Sequence, residues 1–97
     1  MFHVRFSDQA KNELRKMDRH VSSLILGWIR KNLEGCENPR FIGKALTGDK
    51  TGAWRYRVGD YRIICEIHDE DIIILVLSVG HRREVYRQTD KSAFAYE

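Results

Sequence analysis

Six of the chain's eleven arginines lie in two short segments, residues 54–62 and 78–87, together with one histidine and several tyrosines. Arginine presents a planar fork of donors that matches phosphate oxygens, while tyrosine and histidine can stack on bases or transfer protons. This mixture is more typical of a nucleic-acid site than of a generic solvated surface. The sequence therefore predicts that these two segments carry the chemistry and that the rest of the chain is scaffold.

Paired strands are expected to bring three of these arginines together. If Gly59 and Asp60 form a two-residue hairpin loop, Arg57 lies opposite Arg62, and Arg55 lies two positions further along the same face. Directly opposed like charges destabilise a sheet by up to about 1 kcal/mol, so a bound anion would explain their convergence. The hairpin is therefore predicted to bind phosphate.

The next hairpin is predicted to extend this surface. Its turn at 69–71 is acidic, and counting back from either possible two-residue loop sets residues 77–79 beside Arg62. His81 and Arg82 then emerge next to the same surface, and the acidic turn lies at the far end of the strands. Such a charge distribution steers a polyanion to the basic end.

The alternative is that the arginines form surface ion pairs, for which the candidate carboxylates are Asp60, Glu66 and Glu84.

Composition limits the class of protein. The chain has 97 residues, 42% of them hydrophobic, which predicts one domain over 1–97 with its own core. Its net charge is only +3, so any attraction for a polyanion depends on how charge is distributed. No signal peptide, long apolar span or disulfide framework is apparent, which predicts a cytoplasmic protein and argues against membrane insertion. Cys36 and Cys65 lack metal-ligand spacing, and neither a metal nor a cofactor is predicted.

Local patterns predict the elements that position the arginines. Residues 2–6 alternate like a strand, Ser7 is a good N-cap for a helix reaching about residue 17, and Asp18 caps a second helix that Gly35 ends. The second helix has an apolar stripe at helical spacing, formed by Val21, Leu24, Ile25, Trp28, Ile29 and Leu33.

The C-terminal half has the pattern of a sheet. Residues 36–53 contain the only proline and predict a long surface connection pinned by Phe41, Ile42 and Leu46. Strands are predicted at 53–58, 61–68 and 72–79, and the tail 88–97 lacks strong periodicity. The expected fold class is α+β, with an N-terminal strand and a two-helix hairpin packed on an antiparallel β-meander.

Four short motifs, taken in their order and spacing, resemble the RelE family of the RelE/ParE toxin superfamily. They are KALTG at 44–48, WRYRV at 54–58, DYRII at 60–64 and VGHRREVY at 79–86. Members of this family are toxins of type II toxin–antitoxin modules, and the RelE branch cleaves mRNA in the ribosomal A site without a metal. The resemblance implies mRNA, the ribosome and a cognate antitoxin as partners. It also implies a toxin that is monomeric alone and oligomeric with its antitoxin.

The resemblance implies roles for individual residues. We assign catalytic roles to Arg62, His81, Arg82 and Tyr86, and RNA-binding roles to Arg55, Arg57, Arg83 and Arg87.

Attack of a ribose 2′-hydroxyl on its own phosphate needs a base, an acid and positive charge for the phosphorane. Arginine forks suit the charge, and histidine, which titrates near neutral pH, suits proton transfer. Tyr86 could stack on a base, transfer a proton or pack the tail onto the sheet. Thr47 stands where some members carry a further basic residue.

Two rival functions are compatible with the same fold. The ParE branch of the superfamily inhibits DNA gyrase by binding and does no RNA chemistry, and a noncatalytic RNA-binding module would bind without turnover. The convergence of Arg62, His81, Arg82 and Tyr86 favours the nuclease, because a protein-binding inhibitor needs neither a phosphate cradle nor a proton carrier.

Overall fold

The computed structural model describes residues 1–46 and 52–81, in which two helices cover one side of a sheet. In chain order the elements are β1 (His3–Phe6), α1 (Asp8–Lys16), α2 (Arg19–Asn32), β2 (Lys44–Ala45), β3 (Ala53–Val58), β4 (Tyr61–His68) and β5 (Ile73–His81). The sheet order is β1-β5-β4-β3-β2; β1 runs parallel to β5, and the other neighbours are antiparallel. The predicted α+β class, with a strand and two helices packed on an antiparallel meander, is confirmed.

Both helices begin at the predicted caps. The Ser7 hydroxyl accepts a hydrogen bond from the Ala10 N–H at 3.0 Å, and the Asp18 carboxylate accepts from the N–H groups of His20 and Val21. After α2, Gly35 adopts a φ of +80° and its N–H donates to the Phe2 carbonyl at 2.7 Å, which turns the chain back toward β1. Within residues 1–46 and 52–81, no helix has the length and apolarity needed to cross a membrane.

The core lies between the helices and the side of the sheet that faces them. From the helices it receives Ala10, Ile25, Ile29 and Leu33, and from the strands Val4, Tyr56, Ile63, Cys65, Ile74, Val76 and Val79. Leu24 departs from the predicted stripe, because it is 58% exposed and borders an open groove between α2 and the β3–β4 hairpin. The apolar stripe of α2 is thus wider than its contact with the sheet.

Hydrogen bonds hold the segment before the meander, where the sequence predicts apolar contacts. Phe41 is 85% exposed and Ile42 is also exposed, so the expectation that they pin this connection is wrong. Two backbone carbonyls anchor it instead: the Tyr56 hydroxyl donates to the Pro39 carbonyl at 2.5 Å, and the Trp54 indole donates to the Ile42 carbonyl at 2.8 Å. Both carbonyls accept hydrogen bonds from side chains of β3, which aligns the segment with the sheet edge ahead of β2.

Gly43 lies at the point of closest approach between this segment and β3. Its φ is +82°, and a Cβ atom there would lie 2.5 Å from the Arg55 carbonyl oxygen and 2.6 Å from the Trp54 indole nitrogen. A side chain would therefore meet backbone that cannot move aside without breaking the β2–β3 pairing. Position 43 therefore requires glycine, and strand β2 begins at the next residue.

Side chains of α1 complete the edge of β5. Strand β1 pairs only with Ile73 to Val76, so the later residues of β5 need other partners for their edge groups. The Ser7 hydroxyl donates to the Leu77 carbonyl at 2.9 Å, and the Glu13 carboxylate accepts from the Val79 N–H at 2.8 Å and from the Ser78 hydroxyl at 3.1 Å. The last part of β5 is thereby fixed to α1.

Two buried groups that can lose a proton, the Tyr56 hydroxyl and the Cys65 thiol, predict that the folded state is less stable at alkaline pH. Burial raises the pKa of the Tyr56 hydroxyl and of the Cys65 thiol well above their usual ranges. In the unfolded chain these groups ionise near about pH 10 and about pH 8.5, so above those values the folded state holds more protons than the unfolded state. We expect the free energy of unfolding to fall as the pH rises above about 8.5, with a slope of up to ~1.4 kcal/mol per pH unit for each proton.

Urea unfolding at a series of pH values between neutrality and about pH 10.5 measures this slope. The double variant with Tyr56→Phe and Cys65→Ala has lower stability at every pH but a flatter dependence on pH, because it has lost both titrating groups. An equally steep fall in the double variant would show that other groups cause the alkaline loss.

Candidate nucleic-acid interface

Four cationic side chains share the side of the sheet that faces away from the helices. Arg57 is the direct cross-strand partner of Arg62, and Lys44 is the direct partner of Arg55. Because direct partners point to the same face and Arg55 lies two residues from Arg57, all four occupy one face. We call Lys44, Arg55, Arg57 and Arg62 the basic patch. The pairing of Arg57 with Arg62, predicted from the two-residue loop, is confirmed.

The four residues of the basic patch differ in burial. Arg62 is only 5% exposed, Arg55 is half-buried, and Arg57 and Lys44 are exposed. Arg55 and Arg62 each also make an interaction within the protein. All four line one open cavity of about 580 Å³ at the edge of the sheet. The patch thus combines a buried guanidinium on β4 with accessible charge on β3 and β2.

The opposite end of the sheet is acidic, as the sequence predicts. Strand β4 runs for eight residues from Tyr61 to His68 before the turn that contains Asp69, Glu70 and Asp71. Arg40 binds Asp69 through two hydrogen bonds of 2.9 Å, and these hold the pKa of the Asp69 carboxyl below its usual range. Charge therefore changes sign along the strands, which favours approach of a polyanion at the patch.

His81 does not lie with the basic patch. Tyr61 pairs with His81, and the two rings form an edge-to-face contact with centroids 5.6 Å apart. Since Tyr61 packs toward the helices and Arg62 is the next residue, His81 lies on the helix side of the sheet while Arg62 lies on the other. His81 borders a separate open cavity of about 570 Å³ with Glu13 and Tyr61.

The expected register between β4 and β5 is wrong for a specific reason. Gly80, rather than a residue of 77–79, lies beside Arg62. The turn after β4 takes four residues instead of two, with Ile72 at a φ of +55°, and a register shift between Ile64 and Cys65 leaves one extra residue in β5. The four-residue turn by itself would set Val79 beside Arg62, within the predicted range. The extra residue in β5 alone therefore moves Gly80 beside Arg62 and places His81 on the opposite face.

The described residues hold only part of the predicted site. Arg55, Arg57 and Arg62 are brought together, whereas Arg82, Arg83, Tyr86 and Arg87 lie outside the described residues. Thr47 and Glu84 lie outside them as well. Lys44 is the residue that the sequence-based assignment missed: it is present in the KALTG motif, but only the pairing of the two-residue strand β2 puts it beside Arg55.

Fold and patch together define a small α+β protein whose sheet carries four cations on one face. A family model described as the ParE toxin of type II toxin–antitoxin systems, parDE, matches residues 4–86. The chain therefore belongs to this family and is a toxin of a type II toxin–antitoxin system. Membership of the RelE/ParE superfamily, predicted from the four motifs, is confirmed.

Individual relatives carry RelE-type names. Toxin RelG of Mycobacterium tuberculosis is 29% identical over 85 residues, which cover 88% of this chain and 95% of that protein. The mRNA interferase toxin RelE of Escherichia coli is 29% identical over 93 residues, which cover 93% and 95% of the two chains. Among solved structures, a RelBE toxin–antitoxin complex of M. tuberculosis superposes with a TM-score of 0.74 at 28% identity, covering 84% of this chain and 91% of that one.

Proposed function

We propose that this toxin is a RelE-type endoribonuclease that cleaves mRNA in the ribosomal A site and so inhibits translation. The observation that carries the proposal is the basic patch, in which two pairs of like charges face each other across neighbouring strands. The patch concentrates positive charge on one open face, and a nucleic-acid backbone supplies anions at regular spacing. The name of the E. coli relative, an mRNA interferase, supports RNA as the substrate.

Cleavage would proceed by an internal displacement on the RNA. The ribose 2′-oxygen forms a bond to the adjacent phosphorus, the bond from phosphorus to the 5′-oxygen breaks, and the products are a cyclic phosphate and a free 5′-hydroxyl. A base accepts the 2′-hydroxyl proton, and an acid gives a proton to the leaving oxygen. Arg62 suits stabilisation of the phosphorane charge because burial holds its guanidinium in place, while Arg55 and Arg57 would bind the flanking backbone.

The remaining roles fall on residues near the end of β5 and beyond it. We assign proton transfer to His81, a second positive charge to Arg82, stacking or proton transfer to Tyr86, and further RNA contacts to Arg83 and Arg87. His81 and Arg62 lie at the same end of neighbouring strands but on opposite faces. For both to act on one phosphate, the RNA must cross the end of β4 and β5, where Tyr61 begins one strand and His81 ends the other.

The proposed protein partner is a cognate antitoxin. The M. tuberculosis neighbour was solved as a complex of toxin with antitoxin, which supports the same type of partner for this chain. We expect the antitoxin to silence the toxin by covering residues of the site, and an active, fully assembled complex would contradict this.

One alternative function has its own support. The family model that matches the chain is named for the ParE toxin, so inhibition of DNA gyrase by protein binding is the second candidate. It would use the same fold without RNA chemistry, and the basic patch would then have no phosphate to bind.

A translating extract distinguishes these functions. Primer extension on mRNA is carried out after addition of the wild-type toxin, with the Arg62→Ala variant as the control, and a DNA supercoiling assay is run in parallel. Ribosome-dependent cuts with the wild type alone are the expected result. Inhibited supercoiling without any cut would favour gyrase as the target, and arrested translation without a cut would favour RNA binding alone.

A further inference from the structure

The one cation of the basic patch that the sequence-based assignment missed, Lys44, lies at the outer edge of the sheet. It belongs to the two-residue strand β2 and is the direct partner of Arg55, so both side chains point away from the helices. Lys44 is exposed, and it lines the same open cavity as Arg55, Arg57 and Arg62. The patch therefore extends across three strands, β4, β3 and β2.

The protein holds Lys44 in this position through several specific contacts. The Pro39 and Ile42 carbonyls are bound by Tyr56 and Trp54, and Gly43 permits the close approach to β3 immediately before Lys44. A cation placed directly opposite Arg55 is destabilising by up to about 1 kcal/mol, as like charges are in any cross-strand pair. Lys44 and Arg55 together place two positive charges on one open surface, which suits an anion that contacts both.

The distance across the patch decides how many phosphates it can bind. From Arg62 to Lys44 there are two inter-strand spacings and one step of two residues along β3, or about 10 Å across the sheet and about 7 Å along it. This separation is larger than one phosphate group can span. With both side chains extended away from the sheet, Lys44 and Arg62 therefore contact different phosphates of a bound strand.

We propose that Lys44 binds a backbone phosphate of the RNA, separate from the phosphate at Arg62, and that the RNA strand runs from β4 toward the β2 edge of the sheet. This inference rests on the proposed function, because it takes the ligand to be single-stranded RNA. It adds Lys44 to the three arginines of the basic patch and gives the RNA strand a path across the sheet.

The salt dependence of binding tests this role. Each phosphate contact on a single strand contributes about 0.7 to the slope of log K against log salt concentration. The probe is a fluorescent oligouridylate whose 2′-hydroxyls are methylated so that it cannot be cleaved, titrated with toxin at salt concentrations from about 50 to about 200 mM. We expect Lys44→Gln to lower the slope by about 0.7 and Lys44→Arg to restore it. Lys11→Gln, on the exposed surface of α1, is the matched control and should leave the slope unchanged.

The outcomes separate this inference from the proposed function. If Arg57→Gln lowers the slope but Lys44→Gln does not, Lys44 binds no phosphate, while RNA binding by the patch stands. If Lys11→Gln lowers the slope as much as Lys44→Gln does, the effect is one of net charge, and the inference is wrong. If the wild type shows no salt-dependent binding of the probe, the inference fails, whereas the proposed function is decided separately by the cuts in the translating extract.

Discussion

Arg62→Ala is expected to lower the rate of mRNA cleavage by roughly 10²- to 10³-fold, the usual cost of removing one preorganised group that stabilises transition-state charge. Arg62 is the most buried cation of the patch, at 5% exposure, and the hairpin register fixes its strand position opposite Arg57. A guanidinium held in this way loses little conformational freedom when it binds the phosphorane. The fall should appear mainly in the rate of cleavage at saturating ribosomes, measured by primer extension over time.

Two further variants of Arg62 and one distant control make the result interpretable. Arg62→Lys keeps the charge but loses the planar fork, so we expect an intermediate rate. Arg19→Ala, at the exposed start of α2, should cleave like the wild type. Thermal unfolding of each variant identifies any loss of cleavage activity that is caused by misfolding. A folded Arg62→Ala variant with the wild-type rate would remove Arg62 from the mechanism.

Arg57→Glu is expected to change stability and RNA binding in opposite directions. The substitution replaces two opposed arginines with an Arg–Glu cross-strand pair, which should stabilise the fold by a few tenths to about 1 kcal/mol. The same change removes a charge-assisted contact to RNA, worth about 1.5–3 kcal/mol, and places a negative charge beside the phosphate. We therefore expect binding of single-stranded RNA to weaken by roughly 10- to 100-fold or more while the midpoint of urea unfolding rises.

A variant that is more stable but binds RNA more weakly would show that Arg57 serves RNA binding and not the stability of the fold. Urea unfolding and fluorescence anisotropy on the same protein preparation measure both. Arg30→Glu makes the same charge change on α2, on the helix side of the sheet, and should leave RNA binding nearly unchanged. If Arg57→Glu lowers stability, Arg57 is engaged in structural contacts. If it leaves RNA binding unaltered, the patch is not the RNA-binding surface.

Short-range patterns predicted much of the scaffold. Ser7 and Asp18 cap the helices as expected, since an N-cap depends on hydrogen bonds within three residues of chain. The loop at Gly59 and Asp60 likewise determines the β3–β4 register, because a two-residue hairpin leaves only one pairing. The convergence of Arg55, Arg57 and Arg62 was therefore predictable from the sequence.

Predictions that depended on longer-range pairing were less successful. The extra residue in β5 shifted that strand by one position, so that Gly80 rather than 77–79 lies beside Arg62. A β-bulge reflects the packing of a strand against its neighbours and has no distinctive composition here. In the same way, Phe41 and Ile42 were expected to anchor the connection by hydrophobic burial, whereas hydrogen bonds from Tyr56 and Trp54 anchor it.

The helices, the meander and the arginine pair follow from the sequence, because each of these depends on residues close together in the chain. Three other features follow from the assembly of the sheet: β1 pairs in parallel with β5, β2 places Lys44 opposite Arg55, and His81 faces the helices. Each of these depends on which strand edges meet and in what register. Those choices minimise the free energy of the whole sheet, and a shift of one residue is enough to move a side chain to the other face.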